Sequence, residues 1–105
     1  MQLEATIFKA LSDPSRLAIF QRLTEGEAPV KELTAGFKIS QPAVSQHLSA
    51  LRTAGLVVER KDGRHVYYRV RAEGLKPLVN WLAHYEAFWP GRIDRLQSLL
   101  NSMGS

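Results

Sequence analysis

Ile39-Ser40-Gln41-Pro42-Ala43-Val44-Ser45-Gln46-His47-Leu48-Ser49-Ala50-Leu51-Arg52-Thr53-Ala54-Gly55-Leu56-Val57 reads as one capped amphipathic helix that runs into a β-strand. Ser40 is a good N-cap, and Pro42 is tolerated because the first turn has no intrahelical N–H partners to lose. The helix is expected to reach Ala54, with Gly55 as a left-handed cap. At about 100° per residue, Val44, Leu48 and Leu51 fall together, flanked by Ala43, His47, Ala50 and Ala54. Gln41, Pro42, Ser45, Gln46, Ser49, Arg52 and Thr53 lie opposite. The first part of that outer face is short and uncharged. Such groups suit hydrogen bonding to base edges in a major groove. Arg52 comes later and is better placed for a phosphate, and the free N–H groups near Ser40 and Gln41 can face another. His47 sits on the border of the core, where packing is as good a reading as contact.

Working outward, Val57 to Asp62 and His65 to Val70 read as two strands, with Asp62-Gly63 as the hairpin signal between them. The tip, Arg60-Lys61-Asp62-Gly63-Arg64-His65, is basic, and Lys61 and Arg64 can reach a nucleic-acid backbone. Charged residues would also protect an edge strand from aggregation. Val66 and Val70 share a face with Tyr68, so Tyr68 is the expected core member and Tyr67 the surface one.

Upstream, Leu3, Ile7, Ala10 and Leu11 recur at helical spacing. Asp13-Pro14 then marks a cap and a restart. A second helix, Pro14 to Leu23, is expected to bury Leu17, Ile19, Phe20 and Leu23. A short third, about Val30 to Ala35, turns its Val30 and Leu33 inward, and Gly36-Phe37-Lys38-Ile39 is a tight turn with Phe37 and Ile39 plugging the core. Short helix, turn and longer helix make a helix-turn-helix, and the hairpin after it makes a wing. The fold class is therefore mainly α with a β-hairpin wing (α+β), a winged helix-turn-helix expected to form one domain over residues 1–105.

Charge follows this layout. The 105 residues carry a formal +4. Residues 1–35 hold four basic residues against five acidic, 36–71 seven against two, and 72–105 three of each. The excess sits around the polar helix and hairpin, which favours double-stranded DNA as a partner over a merely solvated basic surface. There is no cysteine, which excludes disulfides, thiolate metal sites and thiol redox sensing. No apolar run approaches a membrane span and no signal-peptide pattern opens the chain, so a cytoplasmic protein without a membrane partner is expected. No cofactor is implied.

Helices expected over Leu75 to Trp89 and Arg92 to Leu100 are too apolar for the surface of a small monomer. Leu75, Leu78, Val79, Trp81, Leu82, Tyr85, Phe88 and Trp89 cover over half of the first; Ile93, Leu96, Leu99 and Leu100 lie on the second. A homodimer through these helices is expected, with Leu3 and Ile7 of the first helix joining Leu78, Trp81, Leu82, Tyr85, Phe88, Trp89 and Leu96.

These pieces resemble the ArsR family (arsenical-resistance repressors) of bacterial winged helix-turn-helix regulators. The resemblance rests on Leu11-Ser12-Asp13-Pro14-Ser15-Arg16-Leu17, Glu32-Leu33, Ser40 to Leu48, Leu51 to Val57, and Asp62-Gly63-Arg64-His65-Val66-Tyr67-Tyr68-Arg69. It covers almost the whole chain in order. It implies a homodimeric repressor that binds an inverted-repeat operator and, in many relatives, releases it when an effector binds; here the signal would come from an unknown small molecule, a partner or protein abundance. It places DNA contacts at Gln41, Pro42, Ser45 and Gln46. Metal-sensing relatives carry two Cys just after Glu-Leu, where this chain has Thr34-Ala35-Gly36. A second family metal site would fall on Glu73, His84 and Glu86. His84 and Glu86 point to different sides of a helix, and zinc normally wants about four ligands. Metal sensing is not expected.

Two other classes compete. One is a winged-helix protein-interaction module without specific DNA binding, against which the basic wing and uncharged outer face argue. The other is an enzyme, but no motif sets a nucleophile beside a base on a strained turn and no Gly-rich phosphate loop occurs.

Overall fold

The apolar stripe of the central helix fixes the architecture. Val44, Leu48 and Leu51 are fully buried, and the helix they anchor runs Gln41–Thr53. The computed structural model describes residues 2–85 and 92–103, with side chains from Leu3 to Tyr85 and from Arg95 to Met103. Within these, the elements are α1 (Gln2–Leu11), α2 (Pro14–Leu23), β1 (Ala28–Pro29), α3 (Val30–Phe37), α4 (Gln41–Thr53), β2 (Val57–Asp62), β3 (His65–Val70), a 3-10 turn (Ala72–Leu75), α5 (Lys76–Ala83) and α6 (Arg92–Met103).

Both central caps form as their residue types dictate. The Asp13 carboxylate accepts from the Arg16 N–H at 2.9 Å, and Pro14 opens α2. The Ser40 hydroxyl oxygen accepts from the Ala43 N–H at 3.2 Å at the start of α4. Gly55 takes φ +78° just past the end of α4, where a side chain would be strained. α2 packs Ile19, Phe20 and Leu23 inward; Leu17, expected inside, is on the exposed side at 36%.

The connection between α3 and α4 is later than expected. Gly36 and Phe37 remain helical, and the reversal falls on Lys38, which has φ +55°. Phe37 and Ile39 still pack against the core.

The sheet has three strands in the order β1-β3-β2. Ala28 pairs with Tyr68 and Pro29 with Tyr67. On the other side Val57 pairs with Val70, Glu59 with Tyr68 and Arg60 with Tyr67. The hairpin loop is Gly63-Arg64, one residue beyond the expected Asp62-Gly63, because Asp62 pairs with His65. Gly63 has φ +61° and is followed by a residue of negative φ, the pattern of a two-residue turn with glycine in its first central position. Directly opposed residues share a face. Val57, Glu59, Lys61, Val66, Tyr68 and Val70 therefore line one side of the wing, and Val58, Arg60, Tyr67 and Arg69 the other. Tyr68 is buried as expected.

The core gathers Ile7, Ala10, Ile19, Phe20, Leu23, Leu33, Val44, Leu48, Leu51, Leu56, Val57 and Tyr68. The helix expected from Leu75 starts one residue later, because Ala72–Leu75 is a 3-10 turn. It ends at Ala83 rather than near Trp89. Phe88, Trp89 and the Pro90-Gly91 stop lie outside the described residues. α6 runs to Met103, three residues past the expected Leu100.

Candidate nucleic-acid interface

The outer face of α4 is presented as the helical spacing requires. Ser40, Gln41, Pro42, Ser45, Gln46, Ser49, Arg52 and Thr53 are all exposed, while Val44, Leu48 and Leu51 hold the helix from behind. His47 is set back from this face. It is half-buried, and its Nδ1 is enclosed without a hydrogen-bond partner among the described residues. The Asp13 carboxyl is held below the usual range, first by the Arg16 N–H and more weakly by nearby His47.

Gln41 and Ser45 form one wall of a groove. The opposite wall is the wing, with Glu59, Arg64, His65, Val66 and Tyr68, and Pro29, Val30 and Lys31 close one end. The groove thus combines uncharged donors and acceptors from α4 with cations from two other elements. Lys31, His65 and Glu59 were not selected from the sequence. Lys31 stands two residues past a strand too short to recognise, and Glu59 looks like one charge among several on an edge strand.

The basic residues of 36–71 divide into two sets. Arg52, Arg60 and Arg71 are engaged within the protein. Arg52 Nη1 lies 2.9 Å from Glu59 Oε1, so the expected phosphate anchor already holds a carboxylate. Arg60 grips Glu27 with two nitrogens, Nε at 3.2 Å and Nη2 at 2.6 Å. Its guanidinium also lies 4.5 Å from the centre of the Tyr67 ring, a cation–π arrangement. Hydrogen bonding to Arg60 lowers the Glu27 carboxyl, and the same contact raises Arg60. Arg71 donates to the Gly55 carbonyl at 3.3 Å and lies 3.7 Å from Glu73. Lys38, Lys61, Arg64 and Arg69 are exposed and have no ion-pair partner among the described residues.

Far from the groove, large apolar side chains are exposed on α1, after α5 and on α6: Leu3 at 66%, Phe8 at 45%, Tyr85 at 40% and Leu99 at 56%. Trp81 joins Phe8 edge-to-face at 5.5 Å and approaches Tyr85 at 5.0 Å. Leu78, Leu82 and Leu96 are half-buried. Ile7 does not belong to this surface. It is 2% exposed and packs in the core, because it falls on the side of α1 that faces the other helices. Phe8, its neighbour, takes the outward position instead.

Where metal-sensing relatives carry two Cys, this chain has Thr34-Ala35-Gly36. Thr34 Oγ1 donates to the Val30 carbonyl at 2.9 Å. Among the described residues no three His, Asp or Glu converge as metal ligands, and Glu86 lies outside them. No described helix is long and apolar enough to cross a membrane.

Comparison with known proteins agrees with this architecture. Residues 13–58 match the model of the bacterial regulatory protein, arsR family. The chain is 44% identical over 99 residues to the arsenical resistance operon repressor of Escherichia coli (strain K12), covering 92% of this chain and 81% of that protein. It is 32% identical over 79 residues to the transcriptional repressor SdpR of Bacillus subtilis (strain 168), covering 75% and 88%. Among solved structures, the ArsR-like transcriptional regulator from Rhodococcus sp. RHA1 superposes with a TM-score of 0.73 at 30% identity, covering 93% of this chain and 92% of that one. The chain belongs to the ArsR family and is a DNA-binding transcriptional regulator of winged helix-turn-helix build, not an enzyme.

Proposed function

We propose that the protein is a cytoplasmic homodimeric repressor that binds an inverted-repeat operator. The observation that carries this reading is the groove between α4 and the wing, which Gln41 and Ser45 line together with Lys31 and Arg64. Gln41, Pro42, Ser45, Gln46 and Ser49 meet base edges, with Ser40 at the phosphate-facing helix start. Lys61 and Arg64 neutralise phosphates, as does Lys31. His47 supports α4 from the side rather than touching DNA.

The exposed apolar residues of α1 and α6 and Tyr85 just after α5 support a two-fold dimer, which presents two α4 helices to successive turns of one DNA face. Relatives named as repressors support repression. Thr34-Ala35-Gly36, where metal-sensing relatives carry two Cys, supports a small molecule or a protein partner as the effector.

A mobility-shift titration on the DNA upstream of the protein's own gene, run at several salt concentrations, tests the reading. Binding should weaken steeply with salt as phosphate contacts are screened. Absence of binding at low salt would overturn it in favour of a protein-interaction module.

A further inference from the structure

The outer face of α4 ends in a cation that is already occupied. Arg52 Nη1 lies 2.9 Å from Glu59 Oε1. The Tyr68 hydroxyl donates to the other oxygen of the same carboxylate at 3.0 Å. Glu59 stands on β2 directly across from Tyr68 on β3. One carboxylate therefore joins the helix to both strands of the wing. Tyr68 is held in place by burial, and burial first and Glu59 second raise its hydroxyl, so it stays a donor.

Glu59 also lines the groove that holds Lys31, Arg64 and His65. An unpaired carboxylate there would repel a phosphodiester. Drawn onto Arg52 and Tyr68, its charge is compensated inside the protein. Moving Arg52 to a phosphate would strand that charge beside the same backbone. The arrangement therefore opposes the exchange.

We propose that Glu59 is a positioning residue for DNA binding. It acts as an internal substitute for phosphate that keeps Arg52 off the DNA backbone and fixes the spacing between α4 and the wing. Sequence-independent attraction is lowered by one cation per protomer, so the uncharged groups of α4 weigh more in the choice of sequence. This rests on the DNA-binding reading given above.

The test uses the full chain in four forms: wild type, Glu59→Gln, Arg52→Ala and the double variant. Glutamine keeps the size of the side chain and an acceptor for Tyr68 but removes the charge. Affinity is measured for the upstream DNA and for a scrambled duplex across a salt series. Glu59→Gln should steepen the salt dependence by about one counterion per protomer. It should also tighten binding to the scrambled duplex several-fold and so lower the ratio between the two DNAs. The double variant removes both charges of the pair and should return to the wild-type slope, whereas Arg52→Ala alone leaves Glu59 unpaired in the groove and should weaken binding to both duplexes. Tyr68→Phe, which leaves the Arg52–Glu59 pair, should not alter the slope.

An unchanged slope in Glu59→Gln would overturn the inference. So would a slope about one below wild type in the double variant, since Arg52 would then already sit on phosphate. If Glu59→Gln does not fold, the wild-type Arg52 side-chain NMR signals with and without DNA decide the matter: signals unchanged by DNA support the pair, and signals shifted as on a phosphate overturn it. If the wild type binds neither duplex at low salt, the DNA-binding reading falls and this inference with it, a failure distinct from an unchanged slope.

Discussion

Gly74 packs directly onto Gly55. A β-carbon built on Gly74 would lie 2.8 Å from the Gly55 carbonyl carbon and 3.3 Å from Leu56 Cα, and backbone atoms at those distances have nowhere to yield. The contact joins the 3-10 turn before α5 to the end of α4. It is reinforced by the Arg71 N–H donating to the Leu56 carbonyl at 2.8 Å. Gly74→Ala should therefore cost stability at the top of the overpacking range, about 3 kcal/mol. The urea midpoint should fall at unchanged m-value. A wild-type midpoint would mean that the turn can move away from α4 without loss.

Gln46 and Arg64 should fail in different ways. Gln46→Ala removes a group placed for base edges, and its loss should appear as altered sequence preference, by about 1–3 kcal/mol at one base pair. Arg64→Ala removes a phosphate cation, so binding should weaken on every duplex alike and the salt slope should shrink by about one. Selection from random DNA with each variant checks both. Equal losses on all sequences for the two variants would refute the division of roles.

Much of this was legible in the sequence, for a physical reason. Helical periodicity and caps are local, so the start of α4, the Asp13 and Ser40 caps and the buried stripe Val44, Leu48 and Leu51 follow from spacing and residue type, while its end falls at Thr53, one residue short of the expected Ala54. The strands of the wing were legible too, but the turn between them was displaced by one residue. Asp62-Gly63 and Gly63-Arg64 both contain the glycine that a positive φ needs, and only the pairing of Asp62 with His65 decides between them. β1 was invisible because two residues carry no pattern, and its strand character comes wholly from lying against β3. The partner of Arg52 was invisible for a similar reason. Glu59 reaches it only after the chain has left the helix and entered the wing. Ile7 and Phe8 show the limit of a wheel without neighbours, since periodicity does not say what covers each side of α1.

The apolar surface should govern assembly. Leu3 and Leu99 are exposed at 66% and 56%, so charging either leaves the core intact. Leu3→Glu and Leu99→Glu should stay folded, sediment as monomers and bind the upstream DNA weakly. A folded, dimeric Leu3→Glu/Leu99→Glu double variant would place the dimer contact on another face.

The Glu27–Arg60 pair gives a pH dependence of known sign. Glu27 is the group whose pKa is lowered, by Arg60 first and more weakly by Arg69. Arg60 itself also lies 3.7 Å from Asp62 and over the Tyr67 ring. A lowered folded-state value means stability present above the ordinary carboxylate range and lost as pH falls through that lowered value. The Tm difference between wild type and Glu27→Gln should thus be small at neutral pH, as befits an exposed pair. It should vanish in strong acid. A difference that grew with acidity would show that the pair does not hold the wing.

The short pairing of β1 with β3 has a mechanical consequence. β1 leads directly into α3, while β3 is the inner strand of the wing. Backbone hydrogen bonds therefore close a circuit: from α3 through the turn to α4, out along β2, back along β3, and across to the residue before α3. A load placed on the wing tip returns to the entrance of the helix-turn-helix without crossing the core. The frame has no loose end on the side that meets a ligand, and twisting any one member strains the others together.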